Sequence, residues 1–383
     1  MRPIPILLRS HYGETDFVTG MRAWAASLVV LVHSGGGGLQ YLGELGKSYA
    51  SYGRVGVFIF FTISGFAIAA AMQRSRNFPA FLAQRFFRIA PLYYFWILVV
   101  LIFPALHQDY WMGYFHAKLD FYNIAMHVSF LSSWDRTIAN PLLGVEWSVS
   151  VEAFWYCVLP ALVFLIHRLT GVIVTALSIG LYALLWHYGA QSFGGEDWTL
   201  SVQWLPVTYA ASFALGVWAH DLRGRIAEKL RPGILIAGLF LLVLYPLVST
   251  QLATNFMAEL VFDPLSVFIV VSFATFLLLL GGSKQSVLSK VLFDNPLAQH
   301  VGIVSYGVYL CHMSFEVVFS KLGFPMVEQS FLRLAFVWGL AVLVSTILHH
   351  LIERPGMRLG QVLTNPTKRF PTFWVGEVSK SNH

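Results

Sequence analysis

Of the 383 residues, 57% are hydrophobic and 11% charged, with a formal net charge of +6. A soluble domain carries roughly 25% charged residues, so so small a share excludes a globule wetted on all sides and points to the bilayer. The excess of lysine and arginine calls for no nucleic acid, because basic cytoplasmic loops account for it.

The expected fold is all-α: a polytopic membrane protein with about ten transmembrane helices and both termini cytoplasmic. One transmembrane domain is expected over 1–360 and a short cytoplasmic tail over 361–383. About 20 apolar residues span a hydrocarbon core of roughly 30 Å. Such runs fall near 18–37, 54–72, 89–106, 146–166, 170–188, 203–220, 232–250, 264–282, 303–320 and 331–351. The first ten residues, broken by Pro3 and Pro5, do not read as a cleaved signal peptide. Cys157 and Cys311 lie in apolar segments and read as packed thiols, and no metal-type Cys or His spacing occurs. Arg74, Arg76, Arg85 and Arg88, then Arg223, Arg225, Lys229 and Arg231, then Arg354, Arg358, Lys368 and Arg369 fall on alternate connections. The intervening connections hold Asp109, Asp120, Asp135, Glu196, Asp197, Glu259 and Asp263, so the basic side is expected inside.

Ionisable groups within spans are costly, and each is a candidate for function. In the first helix Arg22 precedes His33 by eleven residues, which places them within about 20° of one face and roughly 16 Å apart along the axis. An extended substrate could lie between them; a snorkelling arginine and an interfacial histidine would give the same spacing. Gly35 to Gly38 then allow either a close backbone approach or a turn. Arg85 and Arg88 sit on neighbouring helical positions, suited to phosphate oxygens or simply to setting topology. The outward connection 107–145 offers His107, Trp111, Tyr114, His116 and Trp134 for sugar contact or as interface anchors. Ser148 and Glu152 share a face of the fourth helix at i, i+4, where Glu152 reads as a base, as a partner orienting a histidine, or as an interhelical hydrogen bond. Ser305, Tyr309 and His312 form one stripe on the ninth helix. His349 and His350 read as interfacial. His11 and Asp16 repeat a spacing found in glycerolipid acyltransferases, but those hold it in a compact α/β domain, so the match reads as coincidence.

Several short motifs in order resemble the bacterial acyltransferase-3 family of membrane O-acyltransferases. These are Arg22 with His33; Gly56-Val-Phe-Ile-Phe-Phe-Thr-Ile-Ser-Gly-Phe66; Arg85-Phe-Phe-Arg88 before Pro91-Leu-Tyr93; Trp147-Ser-Val-Ser-Val-Glu152; Ser305-Tyr-Gly-Val-Tyr309 with His312; and Ile352-Glu-Arg-Pro355. The resemblance runs from about residue 14 to 360. It departs at Ala153, where many members have a second acidic residue, and the chain is expected to act without the secreted hydrolase-like domain that some members carry after the last helix.

The resemblance implies transfer of an acyl group, usually acetyl, from cytoplasmic acyl-CoA to a hydroxyl of a cell-surface polysaccharide or its lipid-linked precursor, in a bacterial cytoplasmic membrane. Acetyl-CoA would be a co-substrate, with no permanently bound cofactor and no metal. It implies His33 and Glu152 as catalytic residues, Arg22, Arg85 and Arg88 as donor-binding residues, and Ser148, Tyr309 and His312 as acceptor or oxyanion contacts. A proton-coupled transporter, or an acyltransferase acting on a lipid or small-molecule hydroxyl, is the alternative.

Overall fold

The structure, a computed structural model, describes residues 16–75, 77–106, 109–193, 198–252, 264–322 and 331–364. His11, Arg76, His107, Glu196, Asp197, Glu259, Asp263 and the tail beyond residue 364 lie outside them. Regular structure among the described residues is entirely helical. Ten main helices follow the expected order: α1 Asp16–His33, α2 Gly56–Arg74, α3 Phe78–Ile102, α4 Trp147–Leu169, α5 Gly171–Phe193, α6 Ala210–Arg223, α7 Arg231–Leu252, α8 Pro264–Gly281, α9 Pro296–Lys321 and α10 Phe331–Leu348. Seven helical stretches are long and apolar enough to cross a bilayer, or eight if the bent pair Trp198–Trp204 and Pro206–Arg223 counts as one span. α1 falls outside that set because Asp16, Arg22 and His33 lower its hydropathy, and α8 is short. The protein is thus an all-α, multi-pass membrane protein.

Two helices begin earlier than hydropathy alone suggests, each for a local reason. The Asn77 side chain accepts from the Ala80 N–H at 2.9 Å with Pro79 in the first turn, so the turns carrying Arg85 and Arg88 belong to α3. Asn295 does the same for Ala298 at 2.9 Å, with Pro296 opening α9. α1 ends sooner than expected. Gly35 to Gly38 all have positive φ, between 58° and 87°, so the helix turns sharply just after His33.

α1 lies between two hydrophobic clusters, giving Ala26, Val29 and Val30 to one and Phe17, Met21 and Ala25 to the other. Glycines bring its neighbours to backbone contact. A Cβ on Gly56 of α2 would lie 2.3 Å from the Ala25 carbonyl oxygen, and one on Gly302 of α9 would lie 2.0 Å from that of Thr19. α2 meets α6 in the same way, through Gly65 against Phe213 and Gly216 against Thr62. Small residues at crossings are how helices pack closely where lipid gives no hydrophobic drive.

Arg223, expected among the topology-setting charges, is instead buried at the end of α8. It donates to the carbonyls of Leu279 (2.6 Å), Leu280 (3.1 Å) and Gly282 (2.5 Å), where a cation meets the negative end of the helix dipole. After α10 a wide turn, closed by His349 and Glu353 at 2.8 Å, leads into a short helix, Arg354–Thr364. Its Gly356 and Gly360 pack on Pro91 and Phe87 of α3, bracing the turn that carries Arg88.

Candidate active site

Two cavities meet within the bundle. The smaller, about 60 Å³, is lined by Arg22 of α1, Arg88 of α3, Ser148 and Glu152 of α4, and Ser305, Tyr306 and Tyr309 of α9. The larger, about 570 Å³, is lined by His33, Arg54, Asn140, Trp147, Gln203, Tyr209 and Tyr309, among others. Val57 and Tyr309 line both, so they stand where the two spaces adjoin. α1 is one continuous helix, so Arg22 faces one cavity and His33 the other, as their spacing suggested.

At the Arg22 end the basic residues converge. Arg22 interacts electrostatically with Arg88, Glu152, Tyr156 and Arg85. Arg85 lies beside the cavity rather than in its lining, its Nε buried without a hydrogen-bond partner among the described residues. Glu152 accepts from Tyr156 Oη at 2.7 Å and from Ser64 Oγ at 3.1 Å. A carboxylate set among three arginines offsets their mutual repulsion and holds its side of the cavity in place. The expectation that Glu152 might orient His33 is therefore corrected: its hydroxyl partners and the charges around it belong to the arginine end.

The partner of His33 is His312. His33 Nδ1 lies 2.8 Å from His312 Nε2, with ring planes 15° apart and centroids 5.0 Å apart, as two imidazoles joined edge to edge require. His312 is fully buried, and its Nδ1 lies 2.7 Å from the Tyr309 carbonyl oxygen and 3.3 Å from that of Val308. A carbonyl only accepts, so His312 Nδ1 carries the proton and its Nε2 the lone pair. His33 Nδ1 must then donate, which leaves the lone pair of His33 on Nε2. The side chain of His33 makes no further hydrogen bond among the described residues. A backbone carbonyl thus fixes, through His312, the tautomer a general base needs.

The surroundings hold this pair still. Ser34 donates to Glu316 Oε1, and Arg333 Nε donates to Glu316 Oε2 at 2.6 Å, tying the end of α1 to α9 and α10. Glu316 continues the Ser305, Tyr309, His312 stripe by one more turn. Sequence reasoning passed over it, although extending the stripe would have found it. Ser148 Oγ and Tyr309 Oη both donate to the Val145 carbonyl, at 3.0 and 3.3 Å. Of the aromatic and histidine side chains in the connection 107–145, Trp111 lines the larger cavity, whereas Trp134 packs on Phe154 and Tyr114 and His116 are exposed. Arg54 and Asn140 were missed: Arg54 stands at the very edge of the expected 54–72 span and Asn140 in the connection before the fourth helix, and neither belongs to a helical motif.

A family model described as an acyltransferase domain matches residues 15–350, which takes in both cavities and both histidines. The chain is accordingly a membrane-embedded acyltransferase. It belongs to the acyltransferase-3 family that its motifs resemble. It is 26% identical to a putative acetyltransferase of Acidianus two-tailed virus, over 80% of this chain and 84% of that one. It is 24% identical to the peptidoglycan O-acetyltransferase OatA of Listeria monocytogenes, over 88% of this chain and 56% of that protein. A regulator of hypoxia-inducible factor 1 from Caenorhabditis elegans is also 24% identical, over 79% of this chain and 68% of its own length. The chain spans about half the length of the OatA proteins it matches. No solved structure matches.

Proposed function

We propose that the protein is an O-acetyltransferase that moves an acetyl group from cytoplasmic acetyl-CoA to a hydroxyl of a cell-surface glycan or its lipid-linked precursor. The observation that carries this reading is the His33–His312 pair, with His33 in the lining of the larger cavity and the arginines gathered at the smaller cavity that adjoins it. The O-acetyl chemistry and the glycan acceptor follow the relatives named as O-acetyltransferases, one of them acting on peptidoglycan.

In this reading the arginine end faces the cytoplasm of a bacterial cytoplasmic membrane, in keeping with the distribution of lysine and arginine. Arg22, Arg85 and Arg88 hold the CoA phosphates, and the acyl thioester reaches past Tyr309 toward His33. The acceptor enters the larger cavity with a hydroxyl on His33 Nε2. His33 takes the hydroxyl proton as the oxygen attacks the thioester carbonyl. The tetrahedral oxyanion is within reach of Tyr309 Oη, which turns from the Val145 carbonyl to donate to it. As the C–S bond breaks, the CoA thiolate leaves and the imidazolium returns its proton to the sulfur. His312 stays bonded to His33 throughout and stabilises the charge that forms there. Glu152 holds the arginines rather than touching the reacting atoms.

The test uses purified protein in lipid nanodiscs with radiolabelled acetyl-CoA, together with mass spectrometry of surface glycans from cells expressing wild type or His33→Ala. A gain of acetyl on glycan with wild type alone, and loss of transfer in the folded variant, is the expected result. Equal acetylation by His33→Ala would remove His33 as the base. Sugar or ion flux without acetylated product would favour a transporter.

A further inference from the structure

The larger cavity holds far more than an acetyl group, since about 570 Å³ is the size of a small-molecule site. Its lining includes Arg54 and, among the described residues, no aspartate or glutamate. Arg54 donates through Nε to the Ser51 carbonyl at 3.1 Å and, among the described residues, meets no carboxylate. Other cations differ: Lys47 pairs with Glu44 at 2.6 Å and Arg333 with Glu316 at 2.6 Å. Arg54 also lies within electrostatic reach of His33. An arginine lining a cavity without a carboxylate favours an anion, and the guanidinium fork suits a carboxylate or a phosphate.

A second polar group in the lining is Asn140, which is 4% exposed and whose Oδ1 has no hydrogen-bond partner among the described residues. Leaving a buried acceptor unpaired is unfavourable, and a ligand hydroxyl placed there would relieve it. Much of the remaining lining is aromatic. Trp147 and Tyr209 lie 5.7 Å apart with planes tilted by 32°, and Trp111 meets Trp204 edge-on at 5.1 Å. Such rings present flat apolar surface to a sugar while the polar groups fix its orientation.

We propose that the acceptor is an anionic glycan unit, a sugar bearing a carboxylate or phosphate close to the acylated hydroxyl. Arg54 engages the anionic group, Asn140 Oδ1 accepts from a second hydroxyl, and the hydroxyl to be acylated faces His33. This rests on the reading that the larger cavity receives the acceptor. It adds that Arg54 sets the charge preference, independently of the acyl donor.

The experiment is binding rather than turnover, because Trp111, Trp147 and Trp204 line the cavity and report occupancy by fluorescence quenching. Full-length protein in nanodiscs is titrated at matched ionic strength with glucuronate, glucose 1-phosphate or glucose. Wild type, Arg54→Gln, Arg54→Lys and Asn140→Ala are compared. Expected is at least tenfold tighter binding of glucuronate or glucose 1-phosphate than of glucose. Arg54→Gln abolishes that preference, Arg54→Lys keeps most of it, and Asn140→Ala weakens all three sugars alike. Tighter binding of glucuronate assigns a sugar carboxylate, and tighter binding of glucose 1-phosphate a lipid-linked phosphate; both support the proposal. No charge preference in wild type, or one that survives Arg54→Gln, overturns it. So does CoA that binds with the same dependence on Arg54, because the cation then serves the donor. If acetyl transfer persists without charge preference, the inference fails and the acetyltransferase reading stands. If charged sugars bind as expected but no acetyl transfer occurs, the failure lies with that reading instead.

Discussion

His312 joins His33 to the backbone: its Nε2 lies 2.8 Å from His33 Nδ1, and its Nδ1 lies 2.7 Å from the carbonyl of Tyr309 one turn earlier. Without His312 the His33 ring could adopt either tautomer, and half the lone pairs would face away from the acceptor. His312→Ala is expected to lower kcat about 10²–10³-fold, within the span for an oriented general base, while leaving KM for acetyl-CoA within about twofold. The deciding comparison is the double variant. His33→Ala with His312→Ala should be no slower than His33→Ala alone, since the two residues act as one unit. Multiplying losses, measured by radiolabelled acetyl transfer, would show that His312 works independently of His33.

At the other end, the arginines can be separated from the chemistry by trimming the donor. Arg88 lines the smaller cavity and Arg85 stands beside it, its Nε unpartnered among the described residues. A charge-assisted hydrogen bond contributes about 1.5–3 kcal/mol, so Arg88→Ala should raise KM for acetyl-CoA by at least about tenfold. Acetyl-pantetheine lacks the phosphates, and its KM should barely move. A parallel rise for both donors would assign Arg88 to structure or topology instead.

Much of this was readable along the chain, and what was not readable has a common cause. Periodicity within one helix placed Arg22 with His33 on α1, Ser148 with Glu152 on α4, and Tyr309 with His312 on α9. Those pairs hold because helical geometry fixes them locally. Which helix faces which is set by crossings such as Gly302 against Thr19, and a sequence pattern does not show them. For that reason Glu152 was considered for His33, whereas its partners come from Ser64 on α2 and Tyr156 on its own helix. The glycine run is compatible in sequence with a close approach or a turn, and it does both. Its φ values are positive, and a Cβ on Gly36 would lie 2.4 Å from that of Ala50. Asn140 and Pro141 fall at the end of the connection expected over 107–145, yet residues 138–146 are buried throughout. Local composition reports the absence of a helix, not the depth at which the chain runs.

The contact of Gly302 with α1 gives a stability prediction with a functional readout. An added Cβ would stand 2.0 Å from the Thr19 carbonyl oxygen, so backbone must yield. Overpacking of this kind costs about 1–3 kcal/mol. Gly302→Ala should lower the Tm in detergent and reduce acetyl transfer, because any shift of α1 moves Arg22 and His33 together. Gly339 on α10 has open space beside its Cβ position, and Gly339→Ala should leave both measurements close to wild type. Equal effects of the two substitutions would mean that helix propensity, not the crossing, decides the outcome.

The buried segment before α4 depends on Glu146. Its carboxylate accepts from the N–H groups of Leu142 (2.7 Å), Leu143 (3.1 Å) and Val145 (3.0 Å), and His127 Nε2 stands 3.5 Å away. These three donors have no water to turn to, since residues 138–146 and both side chains of the Glu146–His127 pair are buried. Leaving one such group unpaired costs about 1–3 kcal/mol, so Glu146→Ala should destabilise the fold severely or prevent its accumulation. Glu146→Gln is the informative variant. It keeps the shape and one accepting oxygen but turns an NH₂ toward a backbone donor, so part of the network is lost. The expected result is folded protein with a reduced Tm and a KM for the sugar acceptor that rises more than KM for acetyl-CoA, because this segment carries Asn140 and Val145 in the wall of the larger cavity. If Glu146→Gln instead changes KM for acetyl-CoA and spares the acceptor, the segment serves the donor cavity through Val145 and Ser148, and the acceptor must be held elsewhere.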